Sequence, residues 1–448
     1  MKRRNFLRIM GVSAGSLILS SCNGNGANDN ESAHLLSPDG YVFFRLDTFN
    51  EKSFDLRTAM ITNDSRIIYQ VREKATKKDK LIALKLDYNG IDKPIIQEKK
   101  IIVQSGTKLE DGNECAFLKN YNINDNGRIV LNIIQTDNQH LQTLHQYDLN
   151  TQKISKIFKH NDTFENFENT KVVGKFGDFE LDNQNHLLFV SGYTYPDVKK
   201  PVTGLFYKNL DGIETTKIIS SNEMFSSTEQ VIHGIGLIDK SKQSDLYSVQ
   251  LFIKSINQEL PQFSSNIKTI ESASKDVIIK GNITLSNYSS VLIPSSLQGT
   301  SANLPQSVIG FHPFGARVGS NEEIILVAKD TDGLYTLYKT DNEILKEGEK
   351  TPIGNVIESF GGYSMSENSF LFTQVSTVGH EDELILFDGS TFKTIITTRT
   401  KIDDKLHAPM IIKMLFGGAR NGVDRSDRIV LIATFDDGTQ SLLVGLPV

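Results

Sequence analysis

A polar turn followed by a short apolar strand recurs along this chain, and this pattern restricts the fold more than any other feature. The clearest copies span residues 118–131 and 176–189. In each copy, an aromatic or leucine residue precedes a turn of the form N/D-x-x-G/N, and the strand after the turn ends on a bulky residue. Asn, Asp and Gly tolerate left-handed backbone geometry, and an Asn or Asp side chain can hydrogen-bond the turn. The strand that follows alternates between two faces and buries one of them.

Looser copies extend this pattern over most of the chain. Their turns begin at Thr62, Gly319, Met365 and Asp424. A second apolar strand, often followed by a third, comes after each turn, so the unit is three or four antiparallel strands. The longer gap between the copies at Asp182 and Gly319 leaves room for two or so more units.

Repetition of such a unit predicts an all-β fold, a β-propeller of about seven blades, with six or eight blades as the alternatives. The β-propeller-like repeat domain is expected to span residues 36–448. We expect the opening strand at 41–46 to pair with the closing strand at 441–446, because this pairing would close the ring and remove exposed strand edges.

The turn resembles the tandem NxxGxxxF repeat of a family of bacterial envelope proteins. Asn124 and Gly127 match the first two positions of that repeat, and Leu131 stands where the family has Phe. The copy that begins at Asp182 keeps the Phe and replaces the other two residues. The resemblance covers about residues 60–435. It implies an envelope location and repeated β-units, and it supplies no catalytic residues that can be transferred to this chain.

The N-terminus has the layout of a signal peptide over residues 1–21. A basic start is followed by an apolar stretch at 9–19, which is too short to cross a bilayer as a helix, and then by small residues before Cys22. The sequence Leu19-Ser20-Ser21-Cys22 resembles a lipobox, in which the Cys carries the acyl chains. Cys22 is therefore the predicted lipidation site. An ordinary secretory cleavage near a chance Cys is the alternative.

The same segment resembles a twin-arginine export signal. Arg3 and Arg4 supply the basic pair, and Phe6 and Leu7 occupy its apolar positions. The alternative is a general secretory signal that carries two arginines. Residues 22–35 are then the lipid anchor and a flexible tether, because their polar run has no apolar period. These features predict a protein of the bacterial envelope, held by lipid at the outer membrane, the periplasmic face or the cell surface.

Bulk composition limits the partners. The net charge is only −6 with both signs mixed, which argues against a nucleic-acid partner. Trp is absent, which argues against sugar sites built on indole stacking. Cys115 is the one Cys besides Cys22, so the mature chain can form no internal disulfide. A lone Cys can be a nucleophile, but the apolar residues that follow Cys115 favour a buried side chain.

No catalytic or metal-binding motif stands out in the sequence. None of the 9 histidines has ligand spacing, and neither a nucleophile elbow nor a phosphate-binding glycine loop occurs. The Asp/Asn-Gly clusters at 122–127 and 330–333 have some calcium-loop character. The first has neutral residues at its ligand positions and Ile133 where a calcium loop needs Glu, and the second is better explained by a hairpin turn. The sequence therefore predicts no metal, no cofactor and no identifiable catalytic residue. A metal site assembled from separate blades stays open.

These observations favour a non-enzymatic binding or scaffolding module displayed on the envelope, with an envelope protein or a glycan as its partner. The alternative is an envelope enzyme, a lyase or hydrolase acting on glycans, with a site at the central channel. A periplasmic assembly partner without a small ligand is a third hypothesis. A cluster of His, Tyr, Arg and carboxylates at one channel mouth would favour the enzyme, since function is decided by the site and not by the fold.

Overall fold

The molecule consists of β-strands joined by turns. The computed structural model describes residues 40–88, 93–136, 141–164, 170–195, 201–225, 230–255, 275–282, 287–292, 308–319, 323–340, 342–398, 400–402, 410–416 and 422–448. These ranges contain no helix, and accordingly no helix within them could span a membrane. The predicted signal peptide (1–21) and the predicted anchor and tether (22–35) lie outside the described residues.

The strands form seven antiparallel sheets, arranged as the blades of a β-propeller. Strand β1 (Tyr41–Asn50) comes first, and six four-stranded meanders follow it. In blade order, their strands are β2 (Phe54–Ile61), β3 (Arg66–Glu73), β4 (Asp79–Asp87) and β5 (Ile95–Gln104); β6 (Cys115–Ile123), β7 (Arg128–Gln135), β8 (Gln142–Asp148) and β9 (Lys153–Phe158); β10 (Lys171–Leu181), β11 (His186–Thr194), β12 (Val202–Asn209) and β13 (Thr215–Ser220); β14 (Gln230–Lys240), β15 (Leu246–Ser255), β16 (Lys275–Asn282) and β17 (Asn287–Leu292); β18 (Val308–Val318), β19 (Ile324–Asp330), β20 (Tyr335–Lys339) and β21 (Asn342–Lys346); β22 (Ile357–Met365), β23 (Leu371–Thr377), β24 (Glu381–Phe387) and β25 (Phe392–Thr397). The predicted all-β propeller of seven blades is confirmed, and the alternatives of six or eight blades are excluded.

Both ends of the propeller sequence build the seventh blade. Its remaining strands are β26 (Lys401–Ile402), β27 (Met410–Phe416), β28 (Ile429–Phe435) and β29 (Thr439–Pro447). The sheet order is β1-β29-β28-β27-β26. β1 and β29 are antiparallel, with Tyr41 opposite Pro447 and Asn50 opposite Thr439. The predicted pairing of the opening and closing strands is therefore confirmed.

In blades 1 to 6 the first strand lies nearest the central channel, and its counterpart in blade 7 is β27, which precedes the turn before β28. First strands of successive blades contact one another, as β10 contacts β14 and β14 contacts β18. Fourth strands lie at the outer rim, and β5, for example, is exposed along most of its length. The turns between first and second strands therefore surround one end of the channel.

Apolar side chains pack between neighbouring blades. One cluster joins Ile68 of blade 1 to Tyr121 of blade 2, and another joins Leu205 of blade 3 to Val249 of blade 4. Full burial of one such side chain stabilises the fold by about 1.5–3 kcal/mol. Cys115 belongs to the first cluster, and burial raises the pKa of its thiol to about 12. The prediction that Cys115 is buried is confirmed, and its protonated thiol is a poor nucleophile.

The prediction for the longest gap between copies is wrong. The chain between Asp182 and Gly319 contributes one complete blade, β14–β17, and not two. The reason is that long segments separate β15 from β16 and β17 from β18. Most of the extra length of the gap therefore falls in residues 256–274 and 293–307, outside the described ranges.

The predicted start of the turn in blade 6 is also wrong, by one residue. The turn begins at Ser366 and not at Met365, because Ser366 N donates a hydrogen bond to Phe370 O (2.9 Å). The left-handed residue is Ser369 and not Asn368. The sequence alignment favoured Met365 because it placed the Asn at the expected position. The backbone instead uses two serines, which can fill the same positions.

The Asp330–Gly333 segment forms the hairpin turn between β19 and β20. Asp330 Oδ1 accepts hydrogen bonds from Asp332 N (3.0 Å) and Leu334 N (2.9 Å). Lys346 Nζ lies 2.8 Å from Asp330 Oδ2. The carboxylate is thus engaged by the turn itself and by a lysine, so the hairpin interpretation is confirmed.

Candidate functional site

One turn geometry repeats between the first and second strands of the blades. The residue that opens the turn accepts a hydrogen bond, through its side-chain oxygen, from the backbone N–H four residues later. Asn124 (2.9 Å) and Asp182 (2.7 Å) make this bond, as do Thr62, Ser366 and Asp424 in three other blades. We call the opening residues turn anchors. In blade order, they are Thr62, Asn124, Asp182, Ser241, Gly319, Ser366 and Asp424.

The third residue after the turn anchor is left-handed in five of these turns. Its φ is 69° at Ser65, 83° at Gly127, 65° at Asn185, 63° at Ser369 and 56° at Asp427. Gly, Asn and Asp tolerate this region best. The N/D-x-x-G/N pattern therefore records two local needs, an acceptor side chain at the turn anchor and a residue that tolerates positive φ.

The residues directly after the turn anchors form a ring around one end of the channel, which we call the mouth ring. Its described members are Asn63, Asp125, Asn183, Lys242, Glu367 and Arg425. Arg425 N donates to Asn63 Oδ1 (2.8 Å), and Asn63 N donates to Asp125 Oδ1 (2.8 Å). Asp125 N donates to Asn183 Oδ1 (3.0 Å), and Asn183 N donates to Lys242 O (3.0 Å). A belt of hydrogen bonds thus runs from blade 7 through blades 1, 2 and 3 to blade 4.

The carboxylates of the mouth ring are held by amides. Asn63 Nδ2 donates to Asp125 Oδ2 (2.8 Å) and to Glu367 Oε1 (2.9 Å). Asn183 Nδ2 also donates to Asp125 Oδ2 (2.8 Å). Because Glu367 belongs to blade 6 and Asn63 to blade 1, the Glu367 side chain reaches past blade 7. The mouth is therefore fixed by contacts between blades that are not neighbours.

A second polar layer lies behind the mouth ring, two residues before the turn anchors. Its members in blades 2 to 6 are Asn122, Glu180, Asp239, Arg317 and Ser364. A cavity of about 90 Å³ is lined by Glu180, Asp239, Arg317 and Ser364 of this layer together with Asn63, Lys242, Gln243 and Glu367 of the mouth.

Asp239 and Arg317 form a loose pair in the cavity. Arg317 Nη1 lies 3.5 Å from Asp239 Oδ1, while Val318 N donates to Asp239 Oδ2 at 2.7 Å. Burial raises the pKa of Asp239 to about 6, which the Arg317 charge opposes and Asp178 reinforces. The guanidinium lies 5.8 Å from the ring centre of Tyr363. Its Nε is buried without a hydrogen-bond partner.

Lys242 is the cation of the mouth ring. Its Nζ lies 3.9 Å from Asp125 Oδ1, and 23% of its side chain is exposed. Burial lowers the pKa of Lys242, while Asp125, Glu367 and Asp424 act in the opposite direction. The ammonium group therefore has three carboxylates in its surroundings but only a distant ion pair.

Asp182, His186 and Asp245 come together between blades 3 and 4, as a group that could hold a metal ion. His186 Nδ1 lies 3.1 Å from Asp182 Oδ2 and 3.8 Å from Asp245 Oδ1. The fully buried ammonium of Lys240 lies 2.5 Å from the same Asp182 Oδ2. Since Asp182 already has a cation and also serves as a turn anchor, the arrangement fits an inter-blade ion pair better than a metal centre. The sequence did not group these three residues.

The site residues that the sequence predicts all belong to the N-terminal segment. Arg3, Arg4, Phe6, Leu7 and the lipidation candidate Cys22 lie outside the described residues. Sequence reasoning missed the cavity-lining side chains. Their available signal was a polar residue two positions before the turn anchor, in a strand that is otherwise apolar.

The fold and the cavity define a seven-bladed β-propeller with a charged site at one end of its channel. No family model and no curated protein matches this chain. Among solved structures it is similar to a prolyl endopeptidase, at 10% identity and a TM-score of 0.49 over 88% of this chain and 48% of that one. This chain thus spans about half the length of that endopeptidase.

Two further solved structures resemble the chain. The β-propeller domain of the Trilobed protease from Pyrococcus furiosus is similar at 12% identity and a TM-score of 0.48, over 88% of this chain and 93% of that one. An oligogalacturonate lyase in complex with manganese is similar at 11% identity and a TM-score of 0.40, over 72% of this chain and 87% of that one. At these identities, the function has to be argued from the site.

Proposed function

We propose that the protein is a lipid-anchored binding module of the bacterial envelope, which takes a polar ligand into the channel cavity without chemical turnover. One observation carries the proposal. Charged and amide side chains from separate blades converge on a single cavity, which Glu180, Asp239, Arg317 and Ser364 line from consecutive blades. Burying charged groups costs desolvation free energy, and closure of the propeller does not itself require charged side chains at these positions.

The surroundings of the cavity support binding by a preformed site. The belt of hydrogen bonds through Asn63, Asp125 and Asn183 holds the mouth ring in place, so a ligand would meet groups that are already ordered. Ordering groups in advance reduces the entropy lost on binding. Amide and carboxylate groups such as those of Asn63 and Glu180 suit the hydroxyl groups of a glycan.

The anchor half of the proposal rests on the lipobox-like sequence before Cys22. We expect wild-type protein to incorporate radiolabelled palmitate in cells and to sediment with membranes. Cys22→Ser should lose the label, while the matched control Cys115→Ser should retain it, because Cys115 is buried in the propeller. Wild-type protein without label would refute the lipid anchor.

The binding half is tested by titrating the purified propeller with neutral and acidic sugars in a calorimeter. Each sugar is then recovered and its mass measured. We expect at least one sugar to bind and to be recovered unchanged. Failure of every sugar to bind would refute the proposal, and recovery of cleaved or dehydrated sugar would favour an enzyme.

One observation favours the second candidate, a lyase or hydrolase acting on glycans. Glu180 and Asp239 line the same cavity, and burial raises the pKa of Asp239 to about 6. A pair of carboxyl groups, one of them with a raised pKa, is the usual arrangement for acid–base chemistry on sugars. Turnover that Asp239→Asn and Glu180→Gln each abolish would establish this candidate in place of the binding module.

A further inference from the structure

Two of the three cations that line the cavity are poorly paired compared with other cations of the same molecule, whereas the third, Lys240, contacts Asp182 at 2.5 Å. Arg317 comes no closer than 3.5 Å to Asp239, and Lys242 lies 3.9 Å from Asp125. Elsewhere, Arg72 contacts Asp79 at 2.7 Å through two nitrogens. The Arg317 Nε also has no hydrogen-bond partner. A buried charged donor without a partner raises the free energy of the folded protein. An anionic ligand that accepted a hydrogen bond from Arg317 would recover part of this free energy.

The acids of the cavity show the opposite behaviour, because backbone or amide donors already serve them. Val318 N donates to Asp239 at 2.7 Å. Asn122 Nδ2 donates to Glu180 at 2.7 Å, and an amide of the mouth ring donates to Glu367 at 2.9 Å. Each of these carboxylates therefore already has a hydrogen-bond donor within the protein. The imbalance between satisfied acids and unsatisfied cations gives the site a preferred ligand charge.

A further cation on the channel wall follows the same rule. Lys119 is an exposed residue of β6, on the innermost strand of blade 2. Its Nζ contacts only neutral oxygens among its hydrogen-bond partners, Gln142 Oε1 and Phe176 O, both at 3.3 Å. A cation on the channel wall outside the cavity is thus also without a carboxylate among its hydrogen-bond partners.

From this imbalance we propose that the ligand of the channel cavity is a sugar acid, with its carboxylate held between Arg317 and Lys242. This inference rests on the proposed binding function and names its ligand class. The Arg317 guanidinium offers a planar fork that matches a carboxylate, and Lys242 supplies a point charge at the mouth. Ser364, Gln243 and Glu180 on the same wall provide partners for hydroxyl groups.

Three probes separate the features that the site recognises. Glucuronate has both charge and hydroxyl groups, glucose has the hydroxyl groups without the charge, and cyclohexanecarboxylate has the charge on a similar ring without hydroxyl groups. In calorimetric titrations of the full propeller we expect glucuronate to bind at least about tenfold more tightly than either control, because a hydrogen bond to a charged group contributes about that factor or more.

The variant Lys242→Gln tests the charge at a partly exposed position, where folding is not at risk. We expect it to weaken glucuronate binding about tenfold and to leave glucose binding unchanged. The matched control Lys346→Gln removes a lysine of similar exposure on blade 5, paired with Asp330 at 2.8 Å, and should leave both affinities unchanged. A melting curve first establishes that the Arg317→Gln variant is folded. The folded variant should have lost the preference for glucuronate.

Each remaining outcome is decisive. Equal affinity for glucose and glucuronate, lost on blocking the cavity with Ser364→Trp, would overturn the sugar-acid inference and leave the binding module standing. Equal affinity for cyclohexanecarboxylate and glucuronate would also overturn it, since the site would then read charge alone. Failure of all three probes to bind would overturn both the inference and, for sugars of this size, the proposed function.

Discussion

Asp239 links the chemistry of the cavity to its protonation state. Its carboxyl group faces Arg317 on β18 and Asp178 on β10, and it is the nearest ion-pair partner of the Arg317 guanidinium. Protonation of Asp239 would remove that competing negative charge and leave Arg317 free for a ligand carboxylate. A pKa of about 6 places this event just below neutral pH.

The affinity for glucuronate should therefore rise as the pH falls from about 7.5 to about 5.5. The sign follows from Asp239, which is ionised and competes for Arg317 above its pKa and is neutral below it. The ligand carboxylate stays ionised over this range. Calorimetric titrations at several pH values measure the effect, and Asp239→Asn should give tight binding that does not vary with pH. Identical pH profiles for the wild type and Asp239→Asn would contradict this assignment.

At the scale of the element, the repeated turn between first and second strands places one residue in the left-handed backbone conformation, which is strained for a residue that has a Cβ. Ser65 occupies a left-handed position with φ of 69°, whereas Gly127 fills the equivalent position of blade 2 with φ of 83°. A Cβ on Gly127 would also come within 2.8 Å of Arg66 Nη1. The two blades therefore differ in how well the residue suits the same turn.

We expect Ser65→Gly to raise the free energy of unfolding by up to about 1 kcal/mol, and Gly127→Ala to lower it by about 1–2 kcal/mol. Ser65→Gly removes a Cβ from a left-handed residue and so relieves backbone strain. Gly127→Ala adds a Cβ to a left-handed residue and so creates such strain. Urea titration followed by circular dichroism measures both changes. Two shifts of the same sign would show that side-chain contacts, and not the backbone, dominate these positions.

The turns also show how far sequence could predict the fold. The pattern of blades 2 and 3 could be recognised because turn anchor and left-handed residue lie three positions apart, within one local hydrogen-bonded loop. Blade 4 escaped recognition because its turn is one residue longer, with Ser241 N bonded to Leu246 O. The recognised turns, together with apolar strands in the long gap, still predicted the correct number of blades.

The cavity could not be predicted in the same way, because its residues meet only after the ring forms. Glu180 and Arg317 belong to different blades, and nothing in their local sequences records that both face one cavity. Their shared register, two residues before a turn anchor, becomes informative only when every turn anchor is known. The residues of the site can therefore be recognised only once the ring has closed, whereas the blades can be recognised from their local turns.

At the scale of the whole molecule, Arg45 fastens the closing strand. It is 8% exposed, and its guanidinium donates to Ser441 Oγ (2.9 Å) and to Thr439 Oγ1 (3.2 Å) on β29. The same group lies 4.6 Å from the ring centre of Phe435 on β28. One side chain of β1 thus binds two other strands of blade 7.

Arg45→Leu should lower the free energy of unfolding by about 2–3 kcal/mol, because it removes several buried hydrogen bonds to β29. Amide hydrogen exchange should accelerate first in β1 and β29. The matched control is Arg57→Leu, whose ion pair with Asp55 at 3.2 Å is more than a third exposed and should change stability little. Equal exchange in all blades of Arg45→Leu would contradict a fastening role.

The shared seventh blade also sets the order in which this molecule can be completed. Tyr41 is made long before its partner Pro447, so the ring stays open until β29 has been made. Six meanders can form from local contacts while synthesis continues, but the slow, long-range pairing comes at the end. A chain that is interrupted before β29 leaves a row of unpaired backbone groups on β1. Such an exposed strand edge can pair with another chain and so promote aggregation.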